Sequence, residues 1–370
     1  MKKKKIVVAG HLCVDITPEF AQSSTRSLDE IMRPGKLTQV GKANFSAGGV
    51  VTNTGLALKV LGCDVLPMGK IADDTYGDVI RKTFEQYDAA EHLILCPGES
   101  SSYTIAIAPP GVDRIFLHHP GTNDSFCCDD LDFDAIAGAD HMHFGYPPLM
   151  KSTYLNGGAE TVALLKRAKA LGLTTSLDMA AVDEGSEAGR QDWAAIIRNV
   201  LPWTDFFLPS VEELCFMMDK ERYNSWNERA NGGDITASLD PETDIRPLAD
   251  TLIEWGARCV LIKCGVLGMY LRTAAPSVMS QIGPEFESWG DIAHFERSYK
   301  PDLILSGTGA GDTSIAAFLK AMTEGYAPIR CVQLAAATGA VSLASYDALG
   351  GLKSFDELNK RIDEGWQKNS

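Results

Sequence analysis

SGTGAGDTSIAAFLKAM, residues 306–322, joins a glycine-rich turn to a predicted amphipathic helix that begins near Asp312. The first N–H groups of a helix have no acceptor within the helix, and the helix dipole is positive at that end. The amides of Gly309, Ala310 and Gly311 can therefore face an anion, such as a phosphoryl group in transfer. Asp312 lies beside them and could accept a proton from an attacking hydroxyl. The alternative is purely structural, because aspartate commonly caps a helix that follows a turn.

The composition and position of this turn argue against two familiar nucleotide-binding loops. A Walker A loop requires Lys followed by Ser or Thr after its glycines, and no such pair follows Gly311. A dinucleotide-binding fingerprint normally follows the first strand, whereas this turn lies beyond residue 300. A nicotinamide-dependent oxidoreductase is therefore disfavoured.

A second segment with glycines at both ends, residues 48–62, contains a helix predicted at 49–61. Gly48 and Gly49 allow a ligand to approach the backbone closely. Asn53 lies one turn into that helix, where its amide can hydrogen-bond hydroxyl groups. Taken alone, the segment is equally typical of an ordinary helix with glycine at both ends.

Short apolar runs alternate with helical patterns, which predicts an α/β fold with a mostly parallel sheet and helices on both faces. The predicted strands are residues 6–9, 65–68, 93–96, 141–144, 174–177, 206–208 and 260–263. The predicted helices are residues 49–61, 158–171 and 241–255. The whole chain, residues 1–370, is predicted to form a single domain.

Two regions, 13–46 and 99–120, interrupt this rhythm. The first is long and irregular, and the second alternates in polarity over 101–119 around a Pro-Pro-Gly turn, which predicts a β-hairpin. Together they could form a small sheet that acts as a lid on the main domain. The alternative is a surface β-appendage without a role. A polar stretch at 219–241 indicates an inserted loop, and residues 274–301 are also predicted to be irregular.

The composition limits the partners and the compartment. The net charge of −15 and the pI of about 4.9 argue against nucleic acid, because phosphate backbones bind basic surfaces. No window approaches the length of a transmembrane helix, so no membrane partner is expected. Nine cysteines without a regular spacing favour free thiols and a reducing cytoplasm. The histidines at 118–119 and 141–143 are expected to be structural, with metal binding as the alternative.

The glycine-rich segments resemble the ribokinase-like, or PfkB, family of carbohydrate kinases. The resemblance comprises the Gly-Gly, Asn and Leu-Gly of residues 48–62, the GKIADDTYG stretch at 69–77 and Gly-Ala-Gly-Asp at 309–312. Smaller matches occur in family order at residues 8–15, 121–123, 207–213 and 263–268. The ordered series extends over nearly the whole chain.

The resemblance implies a Rossmann-like, doubly wound α/β domain with a small β-sheet lid. It also implies that ATP phosphorylates a hydroxyl of a sugar or a sugar-like molecule. Asp312 would be the general base, and the amides of residues 309–311 would form the anion hole. The residues implied in binding the substrate's hydroxyl groups are Asp15, Gly48, Gly49 and Asn53.

The resemblance also implies an ATP and Mg²⁺ site and a way of assembling. The residues implied in nucleotide binding are Lys263, Gly265, Gly268, Thr308, Ala336 and Gly339. Glu213 matches the glutamate of the family's Asn-x-x-Glu motif, which helps to organise Mg²⁺ and phosphate, usually through water. Relatives commonly dimerise through their lid strands, so a homodimer is one expectation.

Three positions depart from the family pattern. Ser306 stands where an aspartate that often helps to hold a monovalent cation is usual, which leaves potassium activation open. Ser210 replaces the Asn of Asn-x-x-Glu, and Lys263 replaces a common Thr and could bring a positive charge near the ATP phosphates. These departures keep a non-catalytic binding or regulatory protein as an alternative. A nucleoside kinase is the other alternative, because relatives also accept nucleosides.

Overall fold

The computed structural model describes residues 3–20, 34–107, 109 and 115–369. The turn of the predicted hairpin, residues 108–114, therefore lies outside the described residues apart from Pro109.

The main sheet forms because short apolar runs are extended and buried on both faces, as in the KIVVAG sequence of the first strand. Its eight strands, in spatial order, are β14 (Ala293–Arg297), β13 (Gly268–Thr273), β12 (Cys259–Lys263), β11 (Phe206–Phe207), β10 (Thr174–Asp178), β9 (His141–Gly145), β1 (Lys5–Gly10) and β4 (Asp64–Met68). The parallel strands are β12, β11, β10, β9, β1 and β4. Strands β13 and β14 form an antiparallel edge next to β12. The prediction of a mostly parallel α/β sheet is confirmed.

Helices cover both faces of this sheet. The described helices are α1 (Val50–Val60), α2 (Thr75–Glu85), α3 (Phe133–Ile136), α4 (Lys151–Ala170), α5 (Trp193–Val200), α6 (Val211–Met218), α7 (Lys220–Ala230), α8 (Arg246–Glu254), α9 (Pro276–Met279), α10 (Ala310–Thr323), α11 (Pro328–Ser342) and α12 (Phe355–Asp363). Helices α4, α5, α6 and α8 pack with Val7 and Ala9 on one face. Helices α1, α10, α11 and α12 pack with Ile6 and Val8 on the other, as the period-2 alternation of a strand requires.

A second sheet, here named the small sheet, begins directly after β1. Its four strands, in spatial order, are β3 (Ala43–Gly48), β2 (Cys13–Pro18), β7 (Tyr103–Ile107) and β8 (Ile115–His119). Strands β7 and β8 pair antiparallel, which confirms the predicted hairpin. Since β2 follows β1 after two residues, the small sheet is joined to the carboxyl end of β1, the strand next to the β4 edge of the main sheet.

The strand predicted at 93–96 does not join the main sheet. Residues Ile94–Cys96 form β6, which pairs in parallel with β5 (Lys70–Ala72) in a separate two-stranded sheet. Leu95 is 48% exposed, so this run is not buried on both faces. The sequence pattern predicted the extended conformation of these residues correctly, but it predicted the wrong sheet for them.

The prediction of a loop at 219–241 is wrong for the first half of that segment, which is helical. Asp219 caps a helix there by accepting the Arg222 N–H at 3.0 Å, and α7 runs to a left-handed Asn231. Trp226 is buried and donates its Nε1–H to Asp244 at 3.1 Å. A single buried aromatic and two end caps hold a helix whose other residues are polar, so composition alone suggested a loop.

The prediction that residues 274–301 are irregular is also wrong in part. Residues Ala293–Arg297 form β14 and complete the antiparallel edge of the main sheet. Before β14, Phe286 and Trp289 are buried and pack against the ring of Phe206. Two aromatic anchors thus fix a segment whose sequence lacks a regular period.

Candidate active site

The candidate site lies where the carboxyl ends of parallel strands meet the beginning of α10. Tyr146 follows β9, Asp178 ends β10, Ser210 follows β11 and Lys263 ends β12. In open α/β sheets, ligands bind in the crevice outside these strand ends. The sheet therefore brings together residues that are far apart in sequence.

Asp312 is 5% exposed and is held by side chains from two other elements. The Asn53 Nδ2–H donates to its Oδ2 at 3.0 Å, and the Tyr146 hydroxyl donates to its Oδ1 at 2.7 Å. The Thr54 hydroxyl lies 3.3 Å from the same Oδ1. A carboxylate offers about four acceptor positions, so it can still receive a proton while these bonds are kept.

Tyr146 reaches Asp312 from an unusual backbone position. Its φ is 67°, in the left-handed region that residues with a side chain seldom occupy. Burial, together with the charges of Asp312 and Asp178, raises the pKa of its hydroxyl well above the ordinary value. Tyr146 therefore stays protonated and acts as a donor to the carboxylate.

The glycine-rich turn is shaped by close contacts. Gly309 has a φ of 72°, and a Cβ there would lie 2.5 Å from the Cβ of Ala348, so only glycine fits. At Gly311 a Cβ would meet nothing nearer than Lys263 Cδ at 3.5 Å, which is an ordinary contact. Gly311 is therefore not required by packing within the protein.

The three amides predicted to face an anion are not equivalent. The Ala310 N–H donates to the Gly307 carbonyl at 3.3 Å, so it is already engaged. The N–H groups of Gly311 and Asp312 lie in the first turn of α10, where a helix supplies no acceptor. The geometry thus favours the amides at 311 and 312 over that of Ala310.

Lys263 and Asp178 form an ion pair beside this turn. The Lys263 ammonium lies 2.7 and 2.8 Å from the two carboxylate oxygens of Asp178, which is fully buried. Burial acts against the charged ammonium, but the negative charges of Asp178, Glu213 and Asp312 outweigh it and raise the pKa of Lys263. A fixed positive charge therefore stands next to Gly311.

A cavity of about 490 Å³ opens from this turn toward α11. Its volume is in the range of small-molecule sites. Among the residues that line it are Lys263, Gly265, Gly268, Ala310, Gly311, Ala336 and Gly339. Five of the six residues that the sequence implies in nucleotide binding are thus brought together. Thr308 is the exception: it does not line the cavity, and its N–H donates to the Ser306 hydroxyl at 3.1 Å.

Glu213 and Ser210 form a reciprocal cap at the start of α6. The Ser210 hydroxyl accepts the Glu213 N–H at 3.4 Å, and the Glu213 Oε2 accepts the Ser210 N–H at 3.1 Å. Serine at this position therefore preserves a helix start, since Ser and Asn are comparable N-caps. Ser210 pairs with Lys263, which lines the cavity, so this cap lies beside the cavity.

The small sheet brings Asp15 to the opposite side of Asp312. A Cβ at Gly48 would lie 2.2 Å from the Asp15 Oδ2, so the glycine makes room for this carboxylate. Burial raises the pKa of Asp15 to about 6, the charge of Asp312 adds to this, and a hydrogen bond from Cys13 opposes it. Gly49, with φ 84°, lies at the same turn before α1.

The strand register defines a row of polar side chains across the small sheet. Ser46 pairs with Asp15, Asp15 with Thr104, and Thr104 with His118. Directly paired residues point to the same face of a sheet. His118 in this row lies beside His11, whose ring is next to that of Tyr146, and the Tyr146 hydroxyl donates to Asp312, so the row faces the side of the site that contains the base.

Sequence patterns missed the side chains that complete the site, Tyr146, Asp178, His11 and His118. Tyr146 and Asp178 lie at the carboxyl ends of predicted strands, and that position was a signal that could have found them. His11 also follows a predicted strand. His118 had no such signal, because its place depends on the pairing of β7 with β8.

None of the helices in the described part of the chain has the length and apolar character needed to cross a membrane. Within the same ranges, no cluster of three or more His, Cys, Asp or Glu side chains is arranged to hold a metal ion.

A mostly parallel sheet, a small adjoining sheet and an aspartate at a glycine-rich helix start define a ribokinase-like fold. The ribokinase of Arabidopsis thaliana complexed with ribose and ATP has this fold, with a TM-score of 0.70 and 18% identity over 97% of this chain and 98% of that chain. The pfkB family carbohydrate kinase model matches residues 3–353, and the chain belongs to this family of carbohydrate kinases.

Curated relatives are similar at low identity over most of the chain. An uncharacterised sugar kinase of Archaeoglobus fulgidus is 24% identical over 303 residues, which are 80% of this chain and 98% of that protein. The 5-dehydro-2-deoxygluconokinase of Clostridium perfringens is 23% identical over 367 residues, which are 98% of this chain and 93% of that protein.

Proposed function

We propose that the protein transfers the γ-phosphoryl group of ATP to a hydroxyl of a sugar or sugar-like acceptor, with Asp312 as the general base. The observation that carries the proposal is the position of Asp312. Its backbone opens α10 beside the cavity, and its carboxylate is oriented by Asn53 and Tyr146 on the side of the small sheet. Asp312 thus adjoins both the cavity and the side of the site that faces the small sheet.

The acceptor would lie between Asp312 and the small sheet. Asp15 and Asn53 offer a carboxylate and an amide to its hydroxyl groups. One acceptor hydroxyl would lose its proton to the Asp312 carboxylate as its oxygen forms a bond to the γ-phosphorus. The bond from that phosphorus to the β-phosphate oxygen breaks, and ADP leaves with the electron pair.

The ATP phosphates would extend from the cavity to the start of α10. The amides of Gly311 and Asp312 and the ammonium of Lys263 would face the negative charge of the transferring group. Lys263 is held in place by Asp178, so it need not move to meet this charge. Preorganised donors of this kind stabilise a transition state without the cost of reorienting solvent.

The residues present suit Mg²⁺ bound together with ATP. This ion commonly keeps several waters and uses one or two carboxylates plus the phosphates, so a dedicated protein cage is not needed. Glu213 would contact it through water, and Mg²⁺ would neutralise charge on the phosphates. Ser210 caps α6 and would not be a ligand.

The small sheet would act as a lid. Its polar row of Ser46, Asp15, Thr104 and His118 faces the base, so closure over an acceptor would replace water around the reacting hydroxyl. Exclusion of water matters here because water competes with the acceptor for the γ-phosphoryl group.

The test is ADP release from ATP·Mg²⁺ by the purified protein with a panel of sugars, sugar acids and nucleosides. The wild-type protein should release ADP only with certain acceptors. Asp312→Asn should lower kcat by about 10²–10⁴-fold, because it removes the base and keeps the shape of the side chain. The acceptor should still raise the melting temperature of this variant.

Asp192→Asn is the matched control, because Asp192 caps α5 by accepting the Ala195 N–H at 3.0 Å, away from the residues of the site. Its kcat should equal that of the wild type. Near-normal turnover by Asp312→Asn would remove Asp312 from the mechanism. Acceptors that raise the melting temperature without any ADP release would support a binding protein instead.

A further inference from the structure

His11 is a buried polar side chain whose ring has no hydrogen-bond partner among the described residues. It follows β1 and is 2% exposed, and this lack of a partner holds for both Nδ1 and Nε2. Buried polar atoms are nearly always paired in native proteins, so an unpaired ring indicates a place for a ligand or water. Neutral imidazole has one donor and one acceptor nitrogen, and protonated imidazole has two donors.

The ring of His11 lies at the acceptor side of the site. A Cβ at Gly49 would be 2.7 Å from its Nδ1, so the ring is packed against the turn that precedes α1. Its centroid is 5.9 Å from the ring of Tyr146, whose hydroxyl donates to Asp312. A ligand bound by His11 is therefore separated from the base by the width of one tyrosine side chain.

His118 reaches the same place from the small sheet. It ends the polar row that contains Asp15, and its ring centroid is 5.2 Å from that of His11. Its Nδ1 lies 3.0 Å from the Thr104 hydroxyl, whereas its Nε2 is buried and has no partner in the described residues. Two elements distant in sequence thus place imidazoles with unpaired nitrogens side by side.

We propose that His11 and His118 bind a carboxylate of the acceptor, so that the preferred substrate is a sugar acid rather than a neutral sugar. This inference rests on the proposed phosphotransfer to a sugar-like hydroxyl. Two adjacent imidazoles can give N–H bonds to both oxygens of a carboxylate. Asp15 and Asn53 remain for the hydroxyl groups at the other end of the same molecule.

Asp15 and Asp312 are acids, so an acceptor carboxylate near them needs a group that can become positive. Imidazole is such a group. Burial lowers the pKa of His11, with His118 adding to the effect, and burial lowers the pKa of His118 to about 4, with His119 adding to it.

A bound carboxylate would raise the pKa of the imidazoles and draw a proton from solution. Several other titratable groups lie around the pair and could share this proton. They are Cys13 and Asp15 on β2, His119 on β8, Tyr146 after β9 and Asp312 on α10. The test must therefore assign the proton to the histidines by substitution.

The first experiment compares kcat/KM for 5-dehydro-2-deoxygluconate and gluconate with that for fructose and glucitol. The acids should be preferred by about tenfold or more, which is the effect of one charge-assisted bond. His118→Gln and His11→Gln should lose this preference chiefly through a higher KM for the acids. His119→Gln is the matched control, because that ring lies 2.9 Å from the Ser100 hydroxyl, outside the pair.

The second experiment measures proton uptake on binding of the preferred acid without ATP, by titration calorimetry in buffers of different ionisation enthalpy. Wild type, His119→Gln and Asp15→Asn should take up about one proton, and His118→Gln should take up fewer. Equal or better use of the neutral acceptors, or unchanged uptake in both His11→Gln and His118→Gln, would overturn the carboxylate subsite while leaving phosphotransfer intact. Failure of every acceptor to release ADP would instead reject the proposed function, and the subsite with it.

Discussion

The two halves of the candidate site differ in the groups that form them: one consists mainly of backbone amides and glycines, and the other of side chains. The half proposed to bind the nucleotide, here named the nucleotide half, has backbone amides at the start of α10, glycines that line a cavity, and the ion pair between Lys263 and Asp178. The half proposed to bind the acceptor, here named the acceptor half, has side chains from β2, β7, β8 and the residues after β1 and β9. Asp312 lies at their boundary.

This difference predicts that the two halves tolerate substitution differently. Backbone amides are present whatever the side chain, so the nucleotide half depends on turn geometry and on glycine at defined positions. The acceptor half depends on the identity of each side chain and on the register of the small sheet. We therefore expect substitutions in the first half to lower turnover and those in the second to change which acceptor is used.

Among substitutions outside Asp312, the largest effect should come from Gly311→Val, which tests whether open space at the start of α10 is needed for turnover. The protein itself leaves room for a Cβ there, with Lys263 Cδ at 3.5 Å, so the variant should fold. The added methyl groups would occupy the space proposed for phosphate and should lower kcat by about 10²–10³-fold, as loss of an anion-hole donor does.

The measurement for Gly311→Val is ADP release together with the melting temperature. Gly185→Val is the control, because Gly185 lies in an exposed loop where a Cβ would approach only the Asp183 side chain, at 3.4 Å. Full activity in Gly311→Val would mean that phosphate does not approach the start of α10, and the two halves would have been assigned wrongly.

The next effect separates the charge of Lys263 from its structural role. Lys263→Met leaves Asp178 buried and unpaired, which should cost about 3–5 kcal/mol in the free energy of unfolding. The double variant Lys263→Met/Asp178→Asn removes both charges and should recover most of that stability. Its kcat should still be lowered by about 10–100-fold, the expected value of a charged hydrogen bond. Recovery of kcat along with stability would show that the pair only supports the fold.

The residues that the sequence implies for the nucleotide half lie close together, and they could be named because the sequence information there is local. The 306–322 stretch contains the turn, the helix start and Asp312 within a few residues, and five of six implied nucleotide residues line one cavity. The exception within the turn, the engaged Ala310 N–H, depends on a hydrogen bond to Gly307 that no sequence pattern gives.

The acceptor half could be predicted only in part. Asn53 was found from its place in a glycine-rich segment and Asp15 through the resemblance to the family. His118 was found only by the pairing of β2 with β7, in which Asp15 lies opposite Thr104, and of β7 with β8. Similarly, α7 was missed because one buried Trp226 holds an otherwise polar helix. Long-range pairing and single anchoring side chains leave little periodic signal.

A smaller effect should come from Tyr146→Phe at the boundary between the halves. The variant keeps the ring next to His11 and removes the hydroxyl that donates to Asp312 at 2.7 Å. We expect kcat to fall by about 3- to 10-fold, since one hydrogen bond that orients the base is lost. The measurement is kcat and the KM for the acceptor at one pH. A change confined to KM would instead place Tyr146 in acceptor binding alone.

The smallest effect concerns Asp15 and its pH dependence. Its pKa is raised from 3.8 to about 6, chiefly by burial, so the carboxylate loses its charge as the pH falls through that value. The KM for the acceptor should therefore rise by roughly threefold to tenfold between about pH 7 and pH 5, since a protonated acid accepts fewer hydrogen bonds from hydroxyls. In Asp15→Asn the KM should be higher at neutral pH and should not vary with pH over this range.

Stability should show the opposite trend, which distinguishes binding from folding at Asp15. A carboxyl whose pKa is higher in the folded than in the unfolded protein favours the folded state below its unfolded pKa, and this contribution is lost as the pH rises through about 6. At pH 7 the buried charge is thus a cost, and Asp15→Asn should have an equal or higher melting temperature than the wild type despite its weaker acceptor binding. A lower melting temperature with an unchanged KM would mean that Asp15 serves the fold, and the acceptor half would then depend on the two imidazoles and Asn53.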